Sequence, residues 1–455
     1  MSRLEIVALQ KDEIWPEGFA AQTQQVVKSI ITWETSHQPA WYPMPGRSLF
    51  YPDCHTGALL KIKGAGFYNP ETISFSGIKR ATTPVPSGSH PMPPQERAFK
   101  RNIVHVDPAD LPPFPMQSVQ SHSAPIGGMT YRIAQNDQRI FKRLQQSGLP
   151  SNTPITAYQY AHLQLEGECM GVSVSRLPEG ALQTTPFDLF MHWHLPVSGD
   201  DIPAWCKQYL SEEGFSLDRP DHRVVIISSL ARHAGKLLRQ FSTSARLYRF
   251  SGSPDNWSMR NDLLHPLFFS DVDTAAFLDD ILPGRHGWEV LRNLVSAIHQ
   301  WIYFFLPAVS WPESGYTFQM LRGADFIRNM LDGFFTEADP GRLTNAADHI
   351  WQLAAEAYNS AVGRQLPLRG GEAQFQLFHP RPAFYFAVMR ILKTLVVSSA
   401  LPAEFPSTDL SAKGIDLYTA ASAGHPSHVA FYPDLSVEEM LSQMNHYASH
   451  GTVGH

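Results

Sequence analysis

Residues 251–280 read SGSPDNWSMRNDLLHPLFFSDVDTAAFLDD. Asp255-Asn256 sits in a Gly/Ser/Pro loop, and about one hairpin later Asp271 closes the apolar run Leu267-Phe268-Phe269. Magnesium is a small, hard cation that takes oxygen ligands and keeps several waters. Proteins therefore hold it with one or two side chains and the phosphates of its nucleotide. An amide oxygen from a loop and a carboxylate from the following strand are such a pair, so Asn256 and Asp271 are the candidate metal ligands. Asp273, two residues on and facing the same side of a strand, is the alternative to Asp271.

Working outward, the chain has 455 residues, a length that favours two or three domains or two lobes around a cleft. Apolar residues make up 43% of it, enough for full-sized cores, and the net charge is −6. An acidic balance argues against nucleic acid as a partner, because non-specific binding to phosphate backbones needs a basic surface. The three cysteines, Cys54, Cys169 and Cys206, form no CxxC and suggest reduced thiols. The opening MSRLEIVALQKDEIW carries acids where a signal peptide would have its apolar core. The most apolar helical stretch, residues 383–401, is interrupted by Arg390 and Lys393 and reads as a buried helix rather than a membrane span. A soluble cytoplasmic protein with no membrane partner is expected.

No internal repeat is visible. Residues 56–63, TGALLKIK, alternate as a strand ending at Lys63, and Gly64-Ala65-Gly66 reads as a turn. Residues 81–125 are rich in proline and read as an irregular insertion. Residues 130–147 read as an amphipathic helix stopped by Gly148 and Pro150. Strands at 155–164 and 171–177 follow, then a helix over 221–241 with apolar residues at a period of 3.6. Beyond residue 280 the pattern is helical: 288–306, 323–335, 343–362 and 382–400. The expected class is α+β, in a protein-kinase-like bilobal fold. A mixed β/α N-lobe spans residues 1–180, and a mainly helical C-lobe spans 181–455 and holds the catalytic loop and the metal-binding Asp.

Transfer of a phosphoryl or nucleotidyl group demands positioning and charge neutralisation more than covalent chemistry. Lys63, at a strand end before a glycine pair, offers a fixed cation, and Gly64 and Gly66 let backbone approach phosphate. Taken alone, a lysine before glycines is an ordinary solvated strand end. Asp137, in the helix after the insertion, can pair with Lys63 and hold it forward. Glu96 in the insertion is the rival partner. Arg176 ends the strand VSVSR and presents a planar fork of donors suited to phosphate. In protein kinases the same duties fall to a strand lysine, a helix acid, a catalytic-loop Asn and a strand-end Asp.

In their order these residues resemble selenoprotein O, the kinase-like protein adenylyltransferases. The matching patches are Lys63-Gly64-Ala65-Gly66, Gly128 with Arg132 and Asp137, and Gly148-Leu149-Pro150-Ser151. They continue with Arg176-Leu177-Pro178, Asp255-Asn256-Trp257-Ser258, and Asp271 followed by Phe277-Leu278-Asp279-Asp280. The resemblance covers roughly residues 56–282 in patches. It implies ATP and Mg2+ as cofactors, Lys63 on phosphate, Asp137 orienting the lysine, and Asn256 and Asp271 on the metal. It also implies Asp255 as base for an acceptor hydroxyl, and AMP transfer (adenylylation, or AMPylation) to that hydroxyl. The chain departs from the family in four ways. Its acid is Asp137 rather than Glu, Gln183 stands where the second arginine falls, the gap before the acid helix is longer, and the C-terminal redox cysteine is absent.

Other patterns carry less. His192 and His194 form an HxH without a nearby acid or cysteine pattern, and no GxSxG, HExxH, GxGxxG or Walker A segment occurs. The expected activity is a magnesium-dependent, ATP-using nucleotidyltransferase or phosphotransferase acting on a hydroxyl-bearing protein or small molecule. The alternatives are a small-molecule or peptide kinase in a biosynthetic pathway, and a catalytically silent pseudokinase scaffold.

Overall fold

In the computed structural model, the described residues are 6–8, 15, 19–32, 46–53, 56–68, 129–165, 168–182, 184–190, 202–206, 216–250, 252–254, 256–281, 286–305, 317–363, 388, 391, 392 and 395. They divide into two compact units. One takes in the described residues of Met1–Ile103, Gln117–Gln183 and Phe268–Thr274; the other takes in those of Thr184–Leu267 and Ala275–His455. The Pro-rich insertion at 81–125, Glu96, Gln183, His192 and His194 lie outside the described residues, as does most of the helix expected over 382–400. Among the described residues no helix is long and apolar enough to cross a membrane.

The first unit is built on alternation. Its elements are β1 (Ile6–Ala8), α1 (Ala21–Ile31), β2 (Gly46–Pro52), β3 (Leu59–Tyr68), β4 (Met129–Thr130), α2 (Tyr131–Gln146), β5 (Thr153–Leu165) and β6 (Glu168–Arg176). The strands form one antiparallel sheet in the order β1-β5-β6-β3-β2, with β4 also paired to β6. In register, Leu60 pairs with Arg176, Lys61 with Ser175, Ile62 with Val174 and Lys63 with Ser173. Successive side chains point to opposite faces, so Leu60, Ile62, Val172 and Val174 share one face. There they join Val26, Val27, Ile30 and Ile31 of α1 in a single apolar core. Lys61, Lys63, Ser173, Ser175 and Ala157 take the other face, against which α2 packs through Ala134.

Helix α2 begins and ends as its sequence dictates. The Thr130 side chain accepts from the Ile133 N–H at the N-cap. Gly148, at φ +70°, reverses the chain after Ser147, and the Leu149 N–H returns to the Leu144 carbonyl.

The glycine pair after Lys63 is not a turn. Strand β3 continues to Tyr68, which pairs with Gly46, while Lys63 pairs with Ser48. Residues 64–67 therefore bulge out opposite Arg47 alone. At this bulge β3 leaves β6, and β4 pairs with Gly171 and Met170 in its place. Gly64 adopts φ +100°, and a Cβ there would lie 2.5 Å from the Met129 Cγ and 2.6 Å from the Gly171 carbonyl oxygen. Only glycine satisfies both the backbone angle and the space.

The second unit is mainly helical. It contains α3 (Pro186–Phe190), α4 (Pro220–Thr243), β7 (Leu247–Tyr248), β8 (Trp257–Met259), β9 (Leu267–Phe269), β10 (Ala276–Phe277), α5 (His286–Phe305), α6 (Phe318–Ala324), α7 (Phe326–Phe334) and α8 (Pro340–Gly363). Only Leu267 of β9 belongs here; its last two residues are in the first unit. Helices α4 and α7 approach to backbone contact, because a Cβ on Gly235 or Gly333 would stand 2.0 Å from a carbonyl oxygen of the opposite helix. The helix expected over 323–335 is α7, and the first residues of that span, 323–324, end the preceding α6. Asp325 separates the two with φ +50°, and its carboxylate caps α7 by accepting from Arg328 N–H and from the Trp351 indole.

Segment Phe268–Thr274 belongs to the sheet unit, not to the helical part where its position in the chain put it. Phe268 packs with Phe50 and Leu177. Phe269 forms a parallel bridge to Ser151, donating to the Pro150 carbonyl and accepting from Asn152 N–H. That docking delivers Asp271 and Asp273 to the α2 face of the sheet.

Candidate functional site

The α2 face of the sheet is where charge collects. Lys63 is 2% exposed, and its ammonium pairs with Asp271, with Asp273 at 3.0 Å and with Asp137 at 3.9 Å. Two residues earlier on β3, and so on the same face, the buried Lys61 ammonium donates to the Ser270 carbonyl at 2.6 Å. Two ammoniums thus face three carboxylates, of which the Asp271 side chain is 29% exposed and those of Asp137 and Asp273 only 3% and 5%.

Each carboxylate is held by a different element. Asp137 lies on the buried stripe of α2 between Ala134 and Phe141, a position that periodicity alone would fill with an apolar residue. The Ser173 hydroxyl donates to its Oδ2 at 2.6 Å and in turn accepts from Gln138 Nε2 at 2.7 Å. Its Oδ1, the atom nearest Lys63, makes no hydrogen bond. A glutamate would reach one methylene further. The close contact that the shorter Asp137 does not make is made by Asp273 Oδ2, and Asn136 Nδ2 fixes that residue by donating to its carbonyl at 3.0 Å.

The electrostatics follow from burial. Desolvation pushes the Asp137 carboxyl above its ordinary range; Lys63 opposes this and Asp273 adds to it. Desolvation likewise pushes the Lys61 ammonium down to about 8; Asp271 resists the shift and Lys63 reinforces it.

The residues expected from sequence are placed as follows. Lys63, Asp137, Asp271 and Asp273 come together; the carboxylate on Lys63 from the acid helix is Asp137. Asp271 carries the exposed carboxylate, and Asp273 is a buried clamp on Lys63. Gly64 and Gly66 lie in the bulge, where Met129 and the Gly171 carbonyl occupy the space beside Gly64. Arg176 is not on the Lys63 face. It is in register with Leu60, an odd number of residues from Lys63, so it projects to the α1 side, where its guanidinium lies 5.8 Å over the Phe19 ring. Asp255 lies outside the described residues. Asn256 belongs to the helical unit, is partly exposed, and donates its backbone N–H to the Ser253 carbonyl.

Within the helical unit, the loop carrying Asn256 is tied from both sides. The Gly252 carbonyl accepts two indole N–H groups, from Trp257 at 3.2 Å and Trp301 at 2.8 Å. Upstream, Arg246 and Arg249 hold φ +54° and +63° on either side of β7, backbone that side chains other than glycine adopt only under constraint. The constraint at Arg246 is the FLDD segment. β10 pairs with β7, Leu278 N–H donates to the Arg246 carbonyl, and Arg246 Nε meets Asp279 at 2.6 Å.

Sequence reasoning passed over Lys61. Its signal was the alternation LLKIK, which puts two lysines on one face of a strand that is otherwise apolar. Among the described residues no group of three or more His, Cys, Asp or Glu side chains is arranged to hold a metal ion. The three aspartates converge on an ammonium instead. Chemically, the site offers a buried, pre-oriented cation behind a single accessible carboxylate. No protein-family model matches the sequence, and no match is found among curated proteins.

Proposed function

We propose that the chain is a kinase-like, magnesium-dependent, ATP-using transferase that moves AMP or a phosphoryl group to a hydroxyl acceptor. The observation that carries this reading is Lys63. It is a strand lysine whose ammonium faces an acid of the flanking helix at 3.9 Å and is hydrogen-bonded to an acid that follows a short apolar strand 208 residues away. The order of elements supports it too. Among the described residues, the lysine strand β3 is followed by the two-residue β4 and helix α2, then by hairpin β5–β6, whose second strand returns beside β3. A kinase requires the same trio of lysine, helix acid and metal-binding Asp to be in place together.

In this reading Lys63 meets the charge that builds on the phosphates, and Asp137 and Asp273 keep its ammonium from turning away. Asp271 and Asn256 supply hard oxygens of the kind Mg2+ prefers. When bound, the metal neutralises triphosphate charge. Asp255 is the candidate to take the proton of the acceptor hydroxyl as its oxygen attacks phosphorus. The bond to the rest of the triphosphate then breaks.

ATP labelled separately at the α and γ phosphates tests the proposal on the full-length protein. Label transferred from α identifies AMP transfer, and from γ phosphoryl transfer; neither label moving, with no nucleotide bound, rejects the reading. Asn256→Ala and Asp271→Ala are each expected to abolish metal-dependent turnover in a folded protein, and full activity in either rejects the ligand assignment. A silent scaffold is the second reading. It is favoured by the contacts that Asp271 and Asp273 already make with Lys63, which any phosphate must share or displace.

A further inference from the structure

The segment that carries Asp271 has no regular structure after Phe269, yet two of its aspartates must reach one ammonium. The backbone of Phe269 is held by Pro150 and Asn152, and the carbonyl of Asp273 by Asn136. Between them, the carbonyl of Ser270 is held by Lys61 Nζ at 2.6 Å, inside a region where Lys61 is 7% and Ser270 6% exposed. A lysine in that place is costly, because its ammonium is stripped of water beside a second ammonium. A leucine or isoleucine there would make β3 apolar on both faces without that cost.

We infer that Lys61 is a positioning residue: by gripping the Ser270 carbonyl it sets where the Asp271 carboxylate stands relative to Lys63. It touches neither nucleotide nor metal in the proposed reaction and acts through the backbone of residues 270–271. The functional consequence rests on the transferase reading; the placement of the segment does not.

The test therefore has two arms on the full-length protein, using Lys61→Met, which keeps length and removes the donor, and Lys61→Gln, a shorter side chain that still donates. The first arm is hydrogen exchange resolved to peptides. Lys61→Met is expected to speed exchange in a peptide covering residues 268–274 by about tenfold, the loss of one net hydrogen bond, with no rise in β5 or β6. Unchanged exchange in that peptide, or an equal rise across the whole sheet, overturns the inference, since the second is what a merely structural core lysine gives. If Lys61→Met does not fold, the same comparison is read on Lys61→Gln, with an intermediate rise expected.

The second arm is the magnesium dependence of ATP turnover. Lys61→Met is expected to raise the magnesium midpoint about tenfold and to leave the KM for ATP at saturating magnesium within about twofold. Lys61→Gln should recover part of the difference. A midpoint equal to the parent's overturns the functional half of the inference. If the parent turns over no ATP, the transferase reading fails by itself, and the exchange arm still decides whether Lys61 places the segment.

Discussion

Replacing Lys61 by Met should make the protein more stable near neutral pH. The magnitude follows from the site. Burial lowers the ammonium from its ordinary 10.5 to about 8 even after Asp271, Asp137 and Asp273 have contributed their attraction. At about 1.4 kcal/mol per pH unit, the charged form is disfavoured in the fold by roughly 3 kcal/mol. Met removes that cost but leaves the buried Ser270 carbonyl without its donor, a loss of about 1–2 kcal/mol. The balance is a gain of about 1–2 kcal/mol for the variant. The pH dependence is the sharper signature. Between pH 8 and 10.5 the unfolded lysine still holds its proton while the folded one has lost it, so the unfolded state binds more protons and the parent's stability rises with pH. The variant lacks this rise, and its advantage should vanish and then reverse by about pH 10. Equilibrium urea unfolding of both full-length proteins at neutral and alkaline pH measures the difference. A stability difference independent of pH would refute the reasoning, because Lys61 would then be as well solvated in the fold as in the unfolded chain.

Three further outcomes are expected. Asp137→Asn should lower turnover by loosening Lys63 while leaving the fold intact. Because burial raises the Asp137 pKa, the parent should gain stability relative to this variant as pH falls through the carboxyl's folded pKa toward its ordinary value; urea curves at neutral and acid pH that run parallel would count against it. Gly64→Ala should cost at least about 2 kcal/mol through its positive φ and its collision with Met129 and the Gly171 carbonyl, and an unchanged thermal midpoint would disprove the bulge as drawn. Lys63→Ala should lower kcat more than it weakens nucleotide binding, since charge stabilisation grows in the transition state, and it should also destabilise by about 3–5 kcal/mol because three carboxylates lose their cation. Kinetics and calorimetry on the one variant read both.

Much of the framework was legible because its signals are local. The period of 3.6 in α2 and α4, the Gly148–Pro150 stop and the alternation in β3, β5 and β6 each depend on neighbours a few residues apart. The errors came where the answer depends on pairing. Gly64 and Gly66 read as a turn because two glycines look alike in a turn and a bulge; only the Gly46–Tyr68 pairing separates them. Arg176 read as a phosphate ligand because its face depends on register, and the register puts it opposite Leu60. The trio Lys63, Asp137 and Asp271 was legible as residue types in order. Asp273's hold on Lys63 and Lys61's hold on Ser270 were not, since both follow from how a short irregular stretch docks on the sheet.

The membership of residues 268–274 in the sheet unit has a consequence for how the chain is made. Its path runs from the sheet unit into the helical one, back for seven residues, and out again, so no single cut yields a complete copy of either part. A nascent chain that has emerged only to residue 182 carries both lysines of β3 but neither Asp271 nor Asp273. Their burial must wait until the ribosome has delivered some ninety residues more, unless solvent or a chaperone tends the exposed face meanwhile. Fragments cut at the obvious boundary should therefore be poor folders, and swapping this part between proteins would require transplanting two stretches of sequence together.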